Sequence, residues 1–129
     1  MNENVIRVLK EQMWFLGTFS DEPNVVPVLF KAVLEDGKLA VADNFMQKTL
    51  ANIKANGQIS VSVCDAVAKE GYQIKGVVDY VTGGPVYDMF QEQVEKIFKG
   101  AVKAKGALII TPTKIFVTSP GPDNNKQLL

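Results

Sequence analysis

The sequence predicts a mainly β chain of the α+β class, an antiparallel sheet closed into a barrel with helices plugging or flanking it. Two observations carry this reading. Strand-like apolar runs are joined by hairpins and short connections, and Asp36-Gly37, between two such runs, is a strong hairpin signal because both residues tolerate positive φ. Three amphipathic stretches interrupt the series, giving the order helix, three strands, helix, two strands, helix, two strands.

Val5, Ile6, Leu9 and Met13 recur at helical spacing, with Glu3, Arg7, Lys10 and Glu11 on the other side, so a helix opens the chain. Trp14 to Phe19 has strand composition and Ser20 to Asn24 that of a turn. Val25 to Leu34 reads as one long β-rich stretch in which Pro27, unable to donate to a ladder, marks an edge or a bulge. Lys38 to Ala42 returns from the Asp36-Gly37 turn. A helix is expected from about Met46 to Ala55, with Met46, Leu50 and Ile53 on one face and Gly57 just past its end.

Ile59 to Cys64 alternates with serine and reads as a strand, with Cys64 expected to be a buried structural thiol. Tyr72 to Thr82 is the next strand, after the polar loop Asp65 to Gly71. Gly83-Gly84-Pro85 starts the longest helix, whose apolar stripe is Val86, Phe90, Val94, Ile97, Phe98 and Val102. Two last strands, Ala107 to Thr111 and Lys114 to Thr118, flank Pro112, and the tail Pro120 to Asn125 is loop-like and expected to fray.

A chain of 129 residues is long enough for one domain with a hydrophobic core, so residues 1–129 are read as a single domain. No apolar run has the length of a membrane span, and Met1 to Asn4 has no signal-peptide character, so a cytoplasmic protein is expected. The 14 basic and 14 acidic side chains cancel, which disfavours nucleic acid as a partner. Lys96, Lys99, Lys103 and Lys105 crowd one stretch, read as the solvated face of a helix. The chain has one cysteine and no histidine, which removes disulfides, His-ligated zinc or haem, and the Ser-His-Asp and Cys-His machineries. No metal site is expected, and an organic cofactor is the economical source of any redox chemistry at neutral pH.

The stretch from Leu39 to Ile53 is the most informative. A strand ends, Asp43-Asn44-Phe45 turns, and a helix opens with Lys48 and Thr49 in its first turn. Free amides at a helix start, with an ammonium and a hydroxyl beside them, suit a phosphomonoester. A surface lysine beside a capping hydroxyl would look the same at this level.

Three pieces in order narrow the choice: Val26-Pro27-Val28-Leu29-Phe30, the Asp36-Gly37 hairpin, and Lys48-Thr49-x-x-Asn52-Ile53 leading to Ile59-Ser60-Val61. In these the chain resembles the pyridoxamine 5'-phosphate oxidase-like, FMN-binding split barrels, and the strand Lys75 to Tyr80 and the helix after Pro85 continue the layout. The resemblance implies a split barrel and a homodimer with FMN in a groove between the two barrels. It assigns Lys48 and Thr49 to the phosphate, runs Val26, Pro27 and Val28 beside the flavin ring, and passes Asp43, Asn44 and Phe45 along its other side. Asn52 is read as structural, tying the helix to a nearby loop, and Lys31 is a second candidate for the phosphate, with a solvated strand lysine the simpler reading.

The chain departs from the true oxidases, which hold vitamin B6 with arginines and a histidine, since Arg7 is its only arginine. The resemblance therefore implies a minimal flavoprotein, a small oxidoreductase or an electron carrier whose redox partner the residues do not name. Two other readings stay open: a reductase of the same fold using deazaflavin (F420), and a cofactor-free dimeric interaction module.

Overall fold

The computed structural model describes residues 1–129. Helix α1, Glu3–Glu11, is capped by the Asn2 side chain, which accepts from the Asn4 N–H (2.8 Å). Four strands follow: β1, Trp14–Phe19; β2, Pro23–Val28; β3, Lys31–Val33; and β4, Leu39–Asp43. Then come α2, Lys48–Asn56, the strands β5, Gln58–Asp65, and β6, Glu70–Val81, helix α3, Pro85–Phe98, and the last strand β7, Gly106–Val117.

The seven strands form one sheet in the order β2-β1-β5-β6-β7-β4-β3, every pair antiparallel. Its two end strands, β2 and β3, are consecutive in the chain and joined only by Leu29-Phe30. Three Cα steps reach at most about 11 Å, whereas a flat sheet of this size would hold its edges roughly 29 Å apart. The sheet therefore has to curl until its edges face one another, and it stays open there because β2 and β3 share no ladder. This is the split barrel.

The barrel interior holds Trp14, Leu16, Val61, Val63, Ile74, Ile110 and Ile115, and α1 packs Val5, Val8 and Leu9 against them. The Trp14 indole N–H and the Lys31 ammonium both donate to the Leu9 carbonyl (2.7 and 3.0 Å), closing the C-terminal end of α1. Lys31 is half-buried, its ammonium also 5.0 Å from the Trp14 ring centroid, and burial depresses its pKa. Every residue of β4 is buried, because Leu39 and Val41 fill the barrel while Ala40 and Ala42 lie under α3 with Phe90 and Ala107.

Seven strands and three helices match the expected number, but four strands precede α2 and one follows α3. The long stretch from Val25 breaks at Leu29-Phe30 into β2 and β3, and Pro27 lies on an edge strand as expected. The Asp36-Gly37 hairpin forms, with Gly37 at φ 85° and the Lys38 N–H donating to Asp36 Oδ1 (3.0 Å). Pro112 does not end a strand. It sits within β7 beside a bulge, where Lys75 pairs with Lys114 and Gly76 with Pro112, leaving Thr113 unmatched.

Several burial expectations are corrected. In α1 the buried set includes Val8, while Met13 lies beyond the helix and is exposed. In α2 the buried face is Thr49, Asn52 and Ile53, not Met46, Leu50 and Ile53. Cys64 is exposed, since the alternation of β5 sends Ile59, Val61 and Val63 inward and even-numbered side chains outward. Helix α3 ends at Phe98 with Lys99 left-handed, so Lys103, Lys105 and Val102 lie beyond it, and Ile97 is exposed. The tail is hydrogen-bonded back onto β7, with the Leu128 N–H donating to the Ile115 carbonyl (2.7 Å) and the Val117 N–H to that of Lys126 (2.9 Å).

Candidate functional site

At the split in the barrel lies a cavity of about 370 Å³, bounded by β2, the Leu29-Phe30 bend, the turn between β4 and α2, and the end of α3. Seven of the eight residues singled out in the sequence line it: Val26, Pro27, Val28, Asn44, Phe45, Lys48 and Thr49. They converge because the barrel brings edge strand β2 and the start of α2 to the same opening.

Asp43, the eighth, is fully buried and not on the cavity wall. Its carboxylate accepts from the Met46 N–H (2.9 Å) and the Tyr80 hydroxyl (2.7 Å), with the Lys105 ammonium 3.8 Å away. Burial, and then the hydrogen bond to Asp43, push the Tyr80 phenol well above its ordinary pKa, so it remains a donor.

Sequence reading missed Asn24, Leu29, Phe30, Ala42, Met46, Gln47 and Phe98 on the wall. Leu29 and Phe30 extend the Val26-Pro27-Val28 motif and were within its reach. Phe98 arrives from α3, where it stands against Phe30 with ring centroids 6.0 Å apart, and no local signal links it to this site.

The polar end is the start of α2. Its N-cap, Gln47, makes no side-chain capping bond, so the first-turn amides have no side-chain acceptor. Lys48 is the first helical residue and its ammonium is held by the Asp21 carboxylate, with Glu22 3.9 Å away. That hydrogen bond raises the Lys48 pKa and lowers that of Asp21. The Thr49 hydroxyl accepts from the Asn24 amide (3.0 Å), and Thr18 accepts from Asn24 (3.4 Å) and Asn52 (3.1 Å). Asn52 thus has the expected structural contact, though it ties α2 to β1 and not to a loop.

The opposite walls are apolar. Asn44 Oδ1 is buried beneath the surface of the turn without a hydrogen-bond partner. The arrangement can receive a flat, largely apolar ligand with an anionic end.

A family profile described as pyridoxamine 5'-phosphate oxidase matches residues 2–120. An uncharacterized protein of Methanocaldococcus jannaschii is 35% identical over 130 residues, covering 98% of this chain and 86% of that one. Among solved structures, HupZ of Group A Streptococcus superposes with a TM-score of 0.81 at 21% identity, over 95% of this chain and 98% of that one. An FMN-binding protein of Syntrophomonas wolfei gives 0.72 at 18% identity, over 84% and 78%. An F420 reductase gives 0.66 at 19% identity, over 89% and 98%. These structural likenesses fix the fold.

Proposed function

We propose that this chain, which belongs to the pyridoxamine 5'-phosphate oxidase family, is an FMN-binding redox protein, a small flavin-dependent oxidoreductase or electron carrier working as a homodimer. The observation that carries the reading is a single cavity with apolar walls and, at one end, an uncapped helix start bearing Lys48 and Thr49. FMN makes both demands at once, with an apolar planar ring system and a phosphomonoester. Bound FMN would supply the electron chemistry, while Val26, Pro27, Val28 and Phe45 cover the ring and Lys48 and Thr49 hold the phosphate.

The solved F420 reductase of this fold raises deazaflavin as a second reading. Asp21 and Glu22 beside Lys48 oppose it more than they oppose FMN, because a longer acidic tail brings more negative charge than one phosphate to the two carboxylates at the polar end. Vitamin B6 oxidation is opposed by the arginine count. Arg7 is the only one, and it is held by Glu70 (2.5 Å) and Asp65 (4.0 Å).

The homodimer is supported by an apolar strip on the outer face of β1 and β2. Phe15 pairs across the ladder with Pro27, Gly17 with Val25 and Phe19 with Pro23, and Phe15, Phe19 and Val25 are exposed. A contiguous strip of this kind fits an isologous contact with a second copy. No helix is long and apolar enough to cross a membrane. The cytoplasm, and one domain over residues 1–129, complete the reading.

Absorption spectroscopy of the purified protein, followed by FMN titration, tests it. The expected result is a yellow protein, or a colourless one that takes up one FMN per chain. A chain that binds no FMN overturns the proposal, and F420 uptake would point to the deazaflavin reading. Steady turnover of pyridoxamine phosphate by the FMN-loaded protein would refute the exclusion of oxidase activity.

A further inference from the structure

The turn from Asn44 to Gln47 forms one wall of the cavity, yet most of what fixes it lies behind that wall. Four hydrogen bonds converge there. Asp43 Oδ1 accepts from the Met46 N–H (2.9 Å), and Asp43 Oδ2 accepts from the Tyr80 hydroxyl (2.7 Å). The Lys105 N–H donates to the Asp43 carbonyl (2.8 Å), and the Lys105 ammonium donates to the Met46 carbonyl (2.9 Å). Lys105 therefore grips the turn at both ends, and its ammonium also lies 3.8 Å from the buried carboxylate.

The three residues come from separate parts of the chain. Asp43 ends β4, Tyr80 is near the end of β6, and Lys105 immediately precedes β7. They meet because β7 pairs with both neighbours here, Gly106 with Asp43 and Ala107 with Val81. Gly106 leaves the room. A Cβ at that position would run into the Tyr80 hydroxyl and ring and lie 2.9 Å from the Val81 carbonyl oxygen. With that Cβ present, the phenol could not stay where it reaches Asp43.

We propose that Asp43, Tyr80 and Lys105 form a bracket that holds the Asn44–Gln47 turn in its ligand-receiving shape, making all three positioning residues of the cavity. None of them lines it. The bracket fixes where the unmatched Asn44 oxygen and the Phe45 ring stand, and where α2 begins. Its proposed effect on flavin rests on the FMN reading above, whereas its effect on the turn does not.

Two variants test it. Tyr80→Phe keeps the ring and deletes one donor, and Lys105→Met keeps the stem and deletes the ammonium. Amide hydrogen exchange on the ligand-free protein reads the bracket directly. Exchange at the Met46 N–H is expected to rise about tenfold in Tyr80→Phe, which loses a part-buried hydrogen bond, and about threefold in Lys105→Met, which loses an exposed one, while β4 and the centre of α2 stay protected. On the flavin side, Tyr80→Phe is expected to weaken FMN and riboflavin equally, by about tenfold, with an altered flavin circular dichroism, and Lys105→Arg to restore most of what Lys105→Met loses.

Unchanged Met46 exchange in both variants overturns the bracket, whatever the flavin result. Faster exchange with unchanged flavin affinity and spectrum overturns its positioning role. Faster exchange in a protein that binds no flavin at all refutes the FMN reading and leaves the turn bracket standing.

Discussion

Replacing Gly76 by alanine tests the bend that lets the sheet curl. Gly76 lies in β6 opposite Pro112, at the point where the β6–β7 register shifts by one residue. An added Cβ would stand 2.6 Å from the Thr111 carbonyl oxygen and 2.9 Å from Ile110 Cγ2. A backbone oxygen cannot swing aside, so the overpacking cost falls in the upper part of its usual range, about 2–3 kcal/mol. Alanine recovers about 0.5–1 kcal/mol of strand stability that glycine forgoes, which leaves a net loss of about 1–2.5 kcal/mol. With an m-value near 2 kcal/mol/M, the urea midpoint should fall by about 0.5–1.3 M. Gly83→Ala is the control, because its Cβ would meet nothing within 4 Å and its φ is not positive. That variant should match or slightly exceed the wild type. Equal midpoints for the two variants would refute the close approach at the bulge.

Lys48→Ala should weaken FMN by about tenfold or more, the effect of losing a charge-assisted contact, and leave riboflavin affinity unchanged, as read by flavin fluorescence titration. Equal loss for the two ligands would move the phosphate elsewhere. Asp21→Asn removes the carboxylate that holds the Lys48 ammonium and should tighten FMN by about two- to fivefold at low salt, fading at high salt. The same contact should loosen in the wild type as pH falls through the depressed Asp21 pKa, since the carboxylate is then protonated. Phe19→Glu puts a charge on the exposed β1–β2 face and, if the proposed dimer forms through that face, should give monomer in sedimentation velocity with flavin lost in step. A flavin that sediments with the monomer would show a site contained in one barrel.

Sequence reading went furthest where the signal was local. Asp36-Gly37, Gly57 and Pro85 each impose a backbone geometry on their own neighbourhood, and each is found as expected. The Val26–Val28 strand and the Lys48-Thr49 helix start are also local patterns, and the fold brings them to one cavity. The errors share a cause, which is that burial depends on what lies across the fold. Asp43 reads as a turn residue facing a ligand, but Tyr80 and Lys105, distant in sequence, give its carboxylate partners inside. Pro112 reads as a strand breaker, yet β4 pairs with β7 only as far as Ile110, so the missing N–H takes no bond from that ladder. Cys64 is apolar enough for a core, and only the register of β5 shows that its parity points outward.

The position of the cavity follows from how the open edges are managed. A curled sheet with two free edges exposes backbone donors and acceptors that invite another strand. Strand β3 limits the hazard by being three residues long, and β2 by carrying Pro23 and Pro27, which withhold two amide donors. These devices guard against strand addition and still leave part of the β2 edge unpaired beside the opening. Because main-chain groups alternate along a strand, those of Val26 and Val28 face β1, and a ligand running past them can use the outward Pro27 carbonyl, which no side-chain substitution removes. Single substitutions at Val26 or Val28 should accordingly lower flavin affinity less than Lys48→Ala does, and a larger loss at either valine would show that the ring is held by side-chain packing and not by the strand edge.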